Sequence, residues 1–81
     1  MNQAQLDAHY EIGLQHAASC RAHIRIQIAL IRQLQTKAYD SSTAAAQLSV
    51  LLGNLSAHRE HLALIRRLRS VQLRFPDEDC L

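Results

Sequence analysis

At 81 residues the chain has room for one domain, and a chain this short buries only about 60% of its unfolded surface, so its core is marginal when it stands alone. Its composition is 48% apolar but only 4% aromatic, with no Trp, two Gly and one Pro, which suits long helices and starves strands. The net charge of +2 is unevenly spread: Asp7 and Glu11 lie near the start, Asp77, Glu78 and Asp79 near the end, and from Ile12 to Pro76 nine Arg and Lys face only Asp40 and Glu60.

Several function classes drop out. Two cysteines, Cys20 and Cys80, cannot build a disulfide framework, and they fit a reducing compartment, here expected to be the cytoplasm. No apolar run reaches the length of a membrane span, so no membrane association is expected. The stretch Met1 to Asp7 has neither the basic start nor the apolar core of a secretory signal. There is no phosphate-binding glycine loop, no HExxH and no GxSxG. A helical hairpin of this size has little room for a substrate cleft, so the expectation is a protein that is not an enzyme and has no cofactor.

The first element is a helix over about residues 2–38. Leu6, Tyr10, Leu14, Ala17, Ile24, Ile28 and Ile31 recur at steps of three, four or seven, the period of a helix. A turn is expected at 39–42, where Asp40, Ser41 and Ser42 can each accept a free backbone N–H at the start of the next helix. The second helix is expected over about 43–74. Gly53 weakens it by about 1 kcal/mol relative to Ala. Yet Leu48, Leu51, Leu55, His58, Leu62 and Ile65 hold heptad phase across Gly53-Asn54, which argues for one helix. Pro76 ends helical structure by Phe75, and 77–81 reads as a disordered acidic tail. The fold class is therefore all-α, two long antiparallel helices joined by a short turn.

Each helix carries more apolar surface than one partner can cover. On the first, Asp7, Glu11, Arg21, Arg25 and Arg32 occupy a single arc of about 80°, leaving two apolar stripes on the remaining circumference. The second repeats this less cleanly, with Arg69 breaking its main stripe. Two stripes per helix need two partners, and a homodimer closing a four-helix bundle satisfies both. The interface candidates are Ile12, Ile24, Ile26, Ile28, Leu30, Ile31 and Leu34 on the first helix. On the second they are Val50, Leu55, Leu62, Leu64 and Leu68. A different protein bound to the second stripe is the alternative.

Five histidines are many for this length. His9, His16 and His23 lie seven apart, on one line of the first helix and away from its charges. If the hairpin folds about Asp40-Ser41, Cys20 comes level with His61 and His23 with His58, with His16 one to two turns further from the loop. Cys20-x-x-His23 and His58-x-x-His61 would then offer four ligands of the types that hold zinc or copper. The same residues can instead be structural, or form an interface sensitive to pH, since imidazole changes charge near neutrality. Arg59, Arg66, Arg67 and Arg69 crowd the end of the second helix and could contact phosphates, making a nucleic-acid binder the rival reading. Antiparallel pairing also brings Asp7 and Glu11 toward that end, where they could pair with these arginines.

Three stretches carry a family resemblance: Ile28-Ala-Leu-Ile-Arg-Gln-Leu-Gln35, Asp40-Ser-Ser-Thr43 and Leu55-Ser-Ala-His58-Arg-Glu-His61-Leu62. They resemble a group of small uncharacterised bacterial helical hairpins, and cover about half the chain. Members of that group often have Gly in the turn, where this chain has Ala38-Tyr39. The resemblance implies an architecture and no activity. The functional expectation is a small regulatory or adaptor protein acting through protein–protein contacts of its helix faces.

Overall fold

A computed structural model describes residues 2–74. Helix α1 spans Gln3–Thr36 and helix α2 spans Ser42–Arg74. They pack side by side as an antiparallel hairpin whose Cα trace measures 64 × 14 × 13 Å. The all-α class and the hairpin agree with the periodicity of the sequence. The expected end of helical structure before Pro76, the acidic stretch 77–81 and Cys80 lie outside the described residues.

α1 begins with a reciprocal cap. The Asn2 side chain accepts from the Gln5 backbone N–H at 2.9 Å, and the Gln5 side chain accepts from the Asn2 N–H at 3.0 Å. It ends at Thr36, two residues short of the expected limit. There Ala38 adopts φ 59°, its N–H donates to the Gln35 carbonyl at 3.0 Å, and the Tyr39 N–H donates to the Leu34 carbonyl at 2.8 Å. This pair of bonds is the Schellman reversal. No Gly or Pro marks it, which is why the helix reads longer in the sequence.

α2 starts at Ser42, where the Asp40 carboxylate accepts from the Ser42 N–H at 2.9 Å and the Ser41 carbonyl accepts from the Ala45 N–H at 2.9 Å. It runs unbroken through Gly53-Asn54. Heptad phase therefore outweighs the local cost of glycine.

The seam between the helices follows alternating steps of four and three. α1 supplies Leu6, Tyr10, Gly13, Ala17, Cys20 and Ile24; α2 supplies Leu51, Leu55, His58, Leu62 and Ile65. Small residues on α1 let the backbones approach closely. A Cβ on Gly13 would lie 2.8 Å from Leu62 Cδ2. The buried core is thin: Leu6, Leu55, Leu62 and Ile65 are its only large buried side chains among the described residues, and none of the four is sealed completely from solvent. Burying such a side chain stabilises by about 1.5–3 kcal/mol. Meanwhile Ile12, Ile26, Leu30, Val50, Leu64 and Leu68 stay exposed.

Candidate functional site

The helical period sorts the side chains onto two faces. Seven-residue steps carry His9, His16, His23 and Leu30 up one flank of the seam on α1, with Ile12 and Ile26 beside them. The matching flank of α2 carries Gln47, Asn54, His61 and Leu68, with Val50 and Leu64 beside them. Both flanks lie on the same side of the hairpin, because one groove gathers His16, Ser19, Cys20 and His23 from α1 with Leu51, Asn54 and His58 from α2. A second groove continues along it, lined by His23, Ile26, Gln27, Gln47, Val50 and Leu51. No Asp, Glu, Lys or Arg of either helix falls on this face. Asp7, Glu11, Arg21, Arg25 and Arg32 lie on the other side with Arg59, Glu60, Arg66 and Arg67.

The helices meet in a different register from the one that folding about Asp40-Ser41 predicts. His16, not His23, packs against His58, with ring centroids 5.8 Å apart and planes tilted by 56°. The Cys20 thiol meets the Leu51 carbonyl at 3.3 Å, instead of coming level with His61. Gln27 donates through Nε2 to the Ala44 carbonyl and to the Gln47 side chain, each at 2.9 Å. The middle of the hairpin is thus displaced by two helical turns or more from the expected pairing. The cause is the connection: the Schellman reversal folds 37–41 back along α1, so α2 starts level with residues well inside that helix.

This register redistributes the residues proposed as metal ligands. Cys20, His23 and His58 line the first groove, where His16 joins them; His61 is exposed outside it. Among the described residues, no three His, Cys, Asp or Glu side chains converge as a ligand set. Cys20 is a free thiol, buried, and hydrogen-bonded to the backbone.

The arginines proposed for phosphate contact divide as well. Arg59, Arg66 and Arg67 are exposed. Arg69 occupies a seam position, where its Nε sits 2.9 Å from the Asp7 carboxylate and its guanidinium stacks 4.7 Å from the centre of the Tyr10 ring. Arg69 is therefore committed within the chain. Its position as the residue that interrupts the apolar stripe of the second helix was the signal for this.

Of the interface candidates, Leu55 and Leu62 are buried in the seam of the hairpin itself. Ile24, Ile28, Ile31 and Leu34 are half-buried at its edges, and Ile12, Ile26, Leu30, Val50, Leu64 and Leu68 are exposed. These six belong to the uncharged face. Sequence reasoning placed the histidines away from the charges on each helix, but it missed the His16–His58 pair and the close approach at Gly13.

No helix is long and apolar enough to cross a membrane among the described residues. A scan against protein-family models and searches of curated proteins and of solved structures return no match.

Proposed function

We propose that this chain is a non-catalytic adaptor or regulatory module that acts through protein contacts made by its uncharged face. One observation carries the reading: Ile12, Ile26, Leu30, Val50, Leu64 and Leu68 are 40–66% exposed on a face with no fixed charge. Contiguous exposed apolar surface of this kind marks an interaction site. The free thiol of Cys20 suits a reducing compartment, and we place the protein in the cytoplasm on that ground. The likeness to small bacterial helical hairpins supports the architecture of such a module and assigns it no activity.

Charge variants of the two faces test this. The tagged full chain, Ile26→Glu with Val50→Glu, and Arg25→Glu with Arg67→Glu are compared in capture from the native host, after circular dichroism has shown all three to be helical. Loss of bound protein only in the Ile26 and Val50 variant supports the reading. Loss only in the arginine variant, with bound nucleic acid released between about 50 and 200 mM salt, overturns it in favour of phosphate contact.

A further inference from the structure

We infer that the uncharged face takes a second copy of this chain, closing a four-helix bundle, and that its histidines make this association depend on pH. The inference rests on the protein-contact reading above and names its partner.

Charge argues for the occupant. Apart from its histidines the face bears no acidic or basic side chain, so a charged partner surface would lose its hydration there and find no fixed counter-charge. The same face of another copy is uncharged and matches it under a two-fold axis, the commonest oligomer symmetry. The opposite side of the hairpin, with Asp7, Glu11 and its arginines, stays in water. Size agrees too. The footprint of the hairpin on that side, about 50 Å from 34 residues at 1.5 Å each by the 14 Å extent of its Cα trace, is about 700 Å² per copy. Two copies bury about 1,400 Å², within the range of stable protein interfaces.

The histidines then follow. His9, His16, His23, His58 and His61 all border or lie on this face, so the dimer would enclose ten imidazoles. The titratable groups near them are the Cys20 thiol, buried against the Leu51 carbonyl, the Tyr10 phenol under Arg69, and Glu60, which adjoins His61 in the chain but points from the back of α2 with Arg67; the one carboxylate at that end of the seam, Asp7, is paired with Arg69. No carboxylate of either helix lies on the face to neutralise an imidazolium. Below about pH 6.5 histidine becomes a cation. Charging imidazoles across an apolar interface adds desolvation and repulsion, and the dimer would bring those of the partner copy next to the His16 and His58 rings, which already lie 5.8 Å apart. Dissociated copies hold these protons in water, so acid pulls the equilibrium toward monomers.

Sedimentation equilibrium of the full chain at pH 7.5 and pH 5.0, under reducing conditions, tests the inference. The expected result is about 18 kDa at pH 7.5, twice the chain mass of 9.1 kDa, and at least tenfold weaker association at pH 5.0. Replacing all five histidines by Gln should leave a dimer at both values. Ile26→Glu and, separately, Val50→Glu should give monomers at pH 7.5 that remain helical by circular dichroism. A monomer at pH 7.5 overturns the second-copy inference while leaving the protein-contact reading to its own face variants. A dimer untouched by Ile26→Glu and Val50→Glu overturns the inference and removes the face from the protein-contact reading. A dimer equally strong at both pH values overturns the role of the histidines.

Discussion

Ala38 holds the turn in a conformation that its own side chain disfavours. At φ 59° its Cβ crowds the carbonyl that follows, which costs about 1–2 kcal/mol for a residue other than Gly. The Schellman bonds from Ala38 and Tyr39 hold it there. Gly at this position removes the clash, though it also loosens the unfolded chain. Ala38→Gly is therefore expected to stabilise the hairpin by about 0.5–1 kcal/mol, read as a higher midpoint in urea unfolding. Two residues on, the Ser42 backbone N–H, with its hydroxyl second, holds the Asp40 carboxyl below the usual carboxylate range. A carboxyl lowered in the folded state stabilises above its ordinary range and loses that contribution as pH falls through its folded value. Asp40→Ala should thus melt lower than the parent at pH 7. The gap should narrow as the pH falls below the ordinary carboxylate range and the carboxyl protonates. An equal gap at neutral and at acid pH would mean that the charge of Asp40 contributes nothing to the cap.

At the scale of the elements, both helices and their single connection were legible because the heptad period is strong and the only strong turn signals cluster at Asp40-Ser-Ser. The register was not. Helical periodicity says which side of a helix faces its partner, but nothing about sliding along the axis; the Ala38 reversal, unmarked by Gly, sets that. The same limit separated true from expected neighbours, giving His58 to His16 and leaving His61 exposed. Arg69 shows that limit again. Antiparallel pairing already brings Asp7 toward the arginines at the open end of the hairpin, but which arginine it meets, and the stacking of that arginine on Tyr10, depend on the register. The two glycines test how the elements meet. Both sit inside helices, so replacement by Ala gains about 1 kcal/mol of helix propensity at each. Gly53 has nothing within 4 Å of a new Cβ, whereas Gly13 would press on Leu62 at 2.8 Å, inside the seam. Gly53→Ala should raise the melting temperature. Gly13→Ala should gain less or lose stability, because Leu62 has to repack, and Gly13→Val should destabilise by about 1–3 kcal/mol. Equal gains from both Ala variants would contradict the close approach of α1 and α2.

The whole molecule is a thin rod with one charged side and one uncharged side, and its function is expected to lie in that asymmetry. Exposed apolar residues occur on both sides, which supplies an internal control. Ile12, Ile26, Val50, Leu64 and Leu68 are 43–66% exposed on the uncharged face, while Leu14 and Leu52, at 41% and 50%, lie on the other side. In an isolated hairpin all seven methyl-bearing side chains meet solvent to a similar degree. Methyl relaxation by a soluble gadolinium chelate at pH 7.5 measures that contact directly. If the uncharged face is the contact surface, the methyls of Ile12, Ile26, Val50, Leu64 and Leu68 are shielded, while those of Leu14 and Leu52 relax strongly. Strong relaxation of all seven, as for a free hairpin, would contradict the account.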